Sequence, residues 1–195
     1  MIKKIAITGG IATGKSTLLN LIKKLGFPTL SCDEVVHNLY SSMKVQEDII
    51  KLGGPELYNP LTQSLDKEAL LKKMIQEPLF KKKLEQLIHP LVWKEIEKFF
   101  VTHEKKGYKV AFVEVPLLYE VGWEIFFDEV WIVVASLETQ ERRLREKKNY
   151  QFLVKLRDNQ LPLEEKIKKA HRIFSSEKPV TILEEELKDI LREYQ

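Results

Sequence analysis

The chain has 195 residues, a length that suits one domain with room for an inserted piece. Its 44% hydrophobic content supports a full core, and 32 basic against 29 acidic side chains leave a formal charge of +3. So small a surplus argues against a nucleic-acid binder, and the single cysteine, Cys32, excludes an internal disulfide or a thiolate zinc cluster.

Residues 2–8 form a short β-branched run that ends in Gly9-Gly10 and reads as a buried strand. The N-terminus lacks the apolar stretch and cleavage site of a signal peptide, and no apolar run is long enough to span a membrane. A cytoplasmic enzyme acting on small ligands is the class expected, with no membrane, nucleic-acid or obligate protein partner. Residues 15–25 carry Leu18, Leu19, Ile22 and Leu25 at helical spacing, and Gly26 and Pro28 punctuate the end. A short strand at 29–31 leads to Asp33, placed to cap the next helix.

From 44 to 106 the pattern is helical throughout, with one helix starting at Leu65-Asp66-Lys67. Another is expected to stop at Ile88, before His89-Pro90, and a third to run over 91–100. Strand patterns return at 110–115 and 130–135, near-continuous apolar runs of the kind found in parallel sheets covered on both faces. Ser136 caps a helix with the basic run Arg142, Arg143, Arg145, Lys147 and Lys148; Arg142 and Lys148 read as its solvated face. Further helices are expected at 152–159 and 163–171, a last strand at Ile173-Phe174, and a capping box (Thr181, Glu184) before a final helix over 182–194. The three tryptophans, Trp93, Trp123 and Trp131, read as core.

The sum is an α/β fold, a three-layer αβα architecture with a doubly wound parallel sheet. Its core is expected at about 1–43, 107–136 and 170–195, with a helical insert at 44–106 and a helical lid region at 137–169.

Gly9-Gly10-Ile11-Ala12-Thr13-Gly14-Lys15-Ser16 matches the phosphate-binding G-x-x-x-x-G-K-S/T pattern in full, between a strand and a helix. Glycine is needed where backbone N–H groups must converge on phosphate without a side chain in the way. Residues 9–16, with Thr17, are the expected ATP-binding set. Lys15 reaches the β- and γ-phosphates and Ser16 ligates Mg2+ directly. The guanine-reading N-K-x-D and the switch D-x-x-G are absent, and the chain is short for a larger ATPase core. A small-molecule kinase therefore leads.

Beyond the loop, the chain resembles the dephospho-CoA kinase family over nearly its whole length. ITGGIATGKST is similar to that family's L-T-G-G-I-G-S-G-K-S-T, and LSCD (30–33) to I-D-A-D. LEQLIHP (84–90) and VPLLYE (115–120) are similar to L-E-x-I-x-H-P and V-P-L-L-F-E. Residues 140–147 resemble Q-x-x-R-L-x-x-R, and Gln160 with PLEEKIKKA resembles Q-x-P-x-E-E-K. The resemblance implies transfer of the ATP γ-phosphate to the ribose 3′-hydroxyl of dephospho-CoA, the last step of coenzyme A synthesis.

It implies three catalytic residues: Asp33, orienting the 3′-hydroxyl proton, Lys15, and Arg143, closing over the triphosphate. His89, Pro116, Leu117, Leu118 and Glu120 would form the acceptor wall, and Glu114 would hold a Mg2+-bound water. The chain departs from the family pattern at Ser31, Cys32, Lys147, His171 and Ser176, the last two expected near the adenine. A nucleoside or nucleotide kinase, or a non-catalytic nucleotide-binding module, are the alternatives.

Overall fold

In the computed structural model of the protein, residues 1–147, 150, 153, 154, 157 and 160–194 are described. In chain order the described elements are β1 (Lys3–Gly9), α1 (Lys15–Lys24), β2 (Thr29–Ser31), α2 (Cys32–Leu39), α3 (Met43–Gly53) and the strand pair β3 (Tyr58–Asn59) and β4 (Ser64–Leu65). There follow α4 (Lys67–Gln76), α5 (Pro78–Lys105), β5 (Val110–Glu114), β6 (Glu129–Val134), α6 (Leu137–Arg145), α7 (Leu163–Lys168), β7 (Arg172–Ser175) and α8 (Val180–Leu191). The chain divides into two compact units, Met1–Cys32 with Phe99–Gln195, and Asp33–Lys98.

The first unit holds a five-stranded sheet in the order β2-β5-β1-β6-β7, every pair parallel. Ile5, Ala6, Ile7 and Thr8 are all fully buried, so β1 is covered on both faces, as a central parallel strand must be. On one face Ile5, Ile7, Phe112, Trp131, Val133 and Phe174 pack with Leu18, Leu19 and Ile22 of α1 and with Leu183, Leu187 and Leu191 of α8. The last three recur every fourth residue, one stripe of a helix. An aromatic row crosses this face: Phe27, Phe112, Trp131 and Phe174 have successive ring centroids 6.1, 5.1 and 5.2 Å apart. Parallel register sets Ile7 against Glu114, Gly9 against Val133 and Ser31 against Glu114, so the carboxyl ends of β1, β2 and β5 share one edge. That edge is where ligands bind in open α/β sheets.

The second unit is helical apart from β3 and β4, and its core includes Val45, Ile49, Leu57, Leu65, Leu70, Phe80, Leu84 and Ile88, all buried. Asp66 caps α4, its Oδ1 accepting from the N–H groups of Glu68 (3.0 Å) and Ala69 (2.9 Å). Gly53 is needed for closeness: a Cβ there would lie 2.3 Å from Leu57 Cδ1 and 2.7 Å from Phe80 Cε2.

Several expectations are corrected. Helix α5 does not stop at Ile88 but runs through Pro90 for 28 residues. Leu84, Ile88, Val92, Ile96 and Phe100 are buried at every fourth position, and this continuous stripe outweighs the local penalty of an internal proline. Gln86, whose carbonyl loses its donor to Pro90, is exposed and can use water instead. The stretch at 44–106 is not free of strand: β3 and β4 pair antiparallel around a turn in which Asn59 Oδ1 accepts from Leu61 N (2.9 Å) and Thr62 N (3.3 Å). Two residues a side are too few for a strand period to register in the sequence. Helix α2 begins at Cys32, so Asp33 lies in its first turn instead of preceding it. Helix α8 begins at Val180 after Pro179, without a side-chain cap, so Thr181 and Glu184 form no capping box. Of the three tryptophans only Trp131 is fully buried; Trp93 and Trp123 are half-buried. The helix expected at 152–159 falls largely outside the described residues, as does Lys148.

Candidate active site

The loop from Gly9 to Ser16 leaves the carboxyl end of β1 and feeds directly into α1. Its backbone conformation needs glycine at two positions. At Gly9, with φ +150°, a Cβ would sit 2.4 Å from the carbonyl oxygen of Val133. At Gly14, with φ +100°, it would approach Ser176 Cβ to 3.0 Å. Ala12 also has a positive φ of 59°, and Thr13, fully buried, ties the loop to itself by donating from Oγ1 to Gly10 O at 2.9 Å. The first N–H groups of α1 have no intrahelical acceptor, which makes the loop and helix start a cradle for an anion.

Four side chains stand around this cradle. Lys15 is buried, and its Nζ donates to Gly10 O at 2.7 Å and lies 3.4 Å from Gly9 O. Ser16 is exposed and its Oγ donates to Glu114 Oε1 at 3.3 Å. Glu114 is a buried carboxylate at the end of β5. Arg143, from α6, donates from Nη1 to Ala12 O at 3.0 Å and to Ser176 Oγ at 2.9 Å, and from Nη2 to Ser176 O at 3.2 Å. Thr17 is exposed at the first turn of α1. The structure thus brings Lys15, Ser16, Glu114 and Arg143 together about the loop.

The residues after β5 divide in two. Pro116 is half-buried and Leu117 exposed, whereas Leu118 is fully buried. Glu120 is held inside: its Oε1 lies 2.6 Å from the Nζ of the fully buried Lys166 and accepts from Leu161 N at 3.1 Å. The lysine makes no well-directed hydrogen bond there, so the contact is a close ion pair. Burial, reinforced by the charge of Glu124, pushes the neighbouring Tyr119 hydroxyl up to about 12.

In the helical unit, Asp33 is exposed in the first turn of α2, directly after β2 and Cys32, which is buried as expected. His89 is half-buried on α5, and burial holds its imidazole below the usual histidine range, with Glu85 opposing. Pro90 is exposed.

Two loop contacts were not foreseen. Gln140 is buried, donates from Nε2 to Ala135 O at 2.9 Å, and packs its Oε1 3.3 Å from where a Gly10 Cβ would lie. Glu177 accepts from Ser136 N (2.8 Å) and from the Thr139 hydroxyl (3.1 Å), while Ser136 caps α6 as expected, accepting from Thr139 N at 3.1 Å. No spacing rule flags Glu177. Gln140 stands first in the basic helix motif, which is the signal that could have found it. Of the departures from the family pattern, Ser176 lies beside Gly14. His171 instead extends the β6–β7 ladder, its Nδ1 accepting from Val130 N at 3.1 Å.

Residues 3–180 match the sequence profile of CoaE, dephospho-CoA kinase. The chain belongs to the dephospho-CoA kinase family. Among curated proteins, the dephospho-CoA kinase of Symbiobacterium thermophilum is 37% identical over 141 residues, which cover 72% of this chain but only 59% of that protein. The dephospho-CoA kinase of Fusobacterium nucleatum is 36% identical over 183 residues, covering 88% of each. Among solved structures, the crystal structure of TT1252 from Thermus thermophilus superposes with a TM-score of 0.84 at 29% identity, covering 100% of this chain and 98% of that one. Membership makes this chain a P-loop phosphotransferase. No helix among the described residues is long and apolar enough to cross a membrane.

Proposed function

We propose that the chain transfers the γ-phosphate of ATP to the 3′-hydroxyl of dephospho-CoA, giving coenzyme A and ADP in the cytoplasm. The observation that carries this reading is the Gly9–Ser16 loop, shaped by glycines at its tightest points and flanked by Lys15, Ser16, Glu114 and Arg143, in a chain of this family.

Phosphoryl transfer with a loose transition state asks the protein mainly for positioning and for charge aimed at the transferring group. Residues Gly9, Gly10, Ile11, Ala12, Thr13 and Gly14 supply backbone that cradles the phosphates, and Thr17 continues the helix start. The Lys15 ammonium, now on Gly10 O, is on a stem long enough to turn to the β- and γ-phosphates. Arg143 adds a planar, permanently charged fork.

The Ser16 hydroxyl and the buried Glu114 carboxylate are adjacent hard oxygen donors, a set that fits Mg2+. Ser16 would bind it directly and Glu114 through a water. Held there by Ser16 and Glu114, a Mg2+ ion would supply positive charge to offset that of the phosphates. Asp33 receives the proton of the acceptor hydroxyl, or orients that hydroxyl, and its exposure leaves the carboxylate accessible to a substrate. For the acceptor, His89 is offered by α5 of the helical unit; in the sheet unit Leu117 is exposed and Pro116 half-buried, with Leu118 buried behind them and Glu120 fixed by its pair with Lys166. We read the helical stretch at about 44–106 as the acceptor-holding insert and the region at about 137–169 as the lid.

The test is ADP release in a coupled assay with ATP, Mg2+ and dephospho-CoA, beside a panel of nucleosides and nucleoside monophosphates. Turnover restricted to dephospho-CoA supports the reading. Turnover of a nucleoside would replace the acceptor, and ATP binding without turnover of any acceptor would make the chain a binding module.

A further inference from the structure

Arg143 is the one cationic side chain of α6 that reaches the phosphate loop through hydrogen bonds the structure defines, and it does not reach it unaided. Its guanidinium carries five N–H donors. Two on Nη1 go to Ala12 O (3.0 Å) and Ser176 Oγ (2.9 Å), and one on Nη2 goes to Ser176 O (3.2 Å). Residue 176 therefore takes two of the three committed donors, and the remaining Nη2 hydrogen and the Nε–H point from a fixed plane. A guanidinium held this way loses little further freedom on meeting a phosphate.

The same short segment also holds the other end of α6. Glu177 accepts from Ser136 N at 2.8 Å and from the Thr139 hydroxyl at 3.1 Å, at the first turn of the helix. Tied at both ends to residues 176 and 177, α6 carries Arg143 at a set height above Ala12. Gly14 completes the arrangement. A Cβ there would stand 3.0 Å from Ser176 Cβ and 3.6 Å from Arg143 Nη1, so the loop leaves room for both.

We propose that Ser176 is a positioning residue for nucleotide binding, whose hydroxyl and carbonyl hold the Arg143 guanidinium on the phosphate loop, with Glu177 fixing the helix that bears it. This rests on the reading of Arg143 as a triphosphate contact. Ser176 acts only through Arg143, which separates this role from one of simply stabilising the β7–α8 turn.

The discriminating experiment is a double-mutant cycle on ATP affinity, measured by calorimetric titration of Mg-ATP into the full chain, with Tm recorded for each variant. Ser176→Ala is expected to weaken ATP about fivefold, as loss of one charge-assisted hydrogen bond would. Ser176→Thr, which keeps the hydroxyl, should bind like the parent. In an Arg143→Ala background the effect of Ser176→Ala should vanish, because coupled residues are not additive. An equal loss with and without Arg143 would overturn the proposal while leaving Arg143 a nucleotide ligand. So would unchanged affinity in Ser176→Ala. Parent-like ATP affinity in Arg143→Ala alone would instead remove the underlying reading, and the proposal with it.

Discussion

The phosphate loop and the helical segment Asp33–Lys98 carry their proposed site residues in opposite ways. Around the loop, Lys15, Ser16 and Arg143 each have a defined protein partner, and the backbone admits no Cβ at Gly9 without a clash at 2.4 Å. In the helical segment Asp33 is an exposed carboxylate on a first turn, and His89 sits half-buried on a long helix. A site that holds phosphate by its backbone has to be built before the ligand arrives. A site that meets its ligand with side-chain tips needs only a helix to present them. Substitutions in the loop should therefore cost stability and nucleotide binding together, whereas substitutions in the helical segment should separate chemistry from stability.

The largest separation is expected at Asp33. Asp33→Asn keeps the shape and removes the charge, and should lower kcat by roughly 10³. ATP affinity and Tm should stay near the parent values, and a kcat within tenfold of the parent would remove Asp33 from the chemistry. Next comes Gly9→Ala, which forces a methyl onto Val133 O and should cost about 2 kcal/mol of stability. Urea unfolding would read that loss, and ATP titration the accompanying loss of binding. If ATP binding weakened with no change in the unfolding midpoint, the coupling claimed for the loop would be wrong.

A smaller effect of opposite sign is expected at Pro90. Because α5 runs through it and it is exposed, Pro90→Ala should stabilise the protein by about 1 kcal/mol. A fall in Tm would mean that the local shape imposed by proline is itself needed for packing.

The smallest effect is the pH response of His89. Burial favours its neutral ring in the folded protein, so the unfolded chain takes up the proton first. Stability is then complete above the unfolded value of about 6.5 and declines as pH falls from there toward the lower folded value. His89→Gln should flatten that part of the stability profile. An unchanged slope would place the titrating group elsewhere.

Much of this was legible in the residues, for reasons that differ by region. The strands β1, β5 and β6 are buried on both faces and so appear as unbroken apolar runs, and the loop is legible because its backbone requires glycine at positions 9 and 14. The course of α5 was not, because a local rule about proline competes with a five-position stripe of buried residues on one helix face. The β3–β4 pair was too short to have a period. Nor could the sequence show that Lys166 is fully buried against Glu120, since a lysine among glutamates reads as a solvated face. The clasp at Ser176 and Glu177 escaped for a similar reason. It depends on β7 lying next to β6, a fact of strand order that no local pattern contains.

The central claim, phosphorylation of one particular hydroxyl, is tested most directly by 31P NMR of the product formed from dephospho-CoA, ATP and Mg2+. The account predicts a single new phosphomonoester on the ribose 3′-oxygen, formed stoichiometrically with ADP and abolished in step with kcat by Asp33→Asn. ADP accompanied only by inorganic phosphate, or a phosphate on any other oxygen, would contradict it.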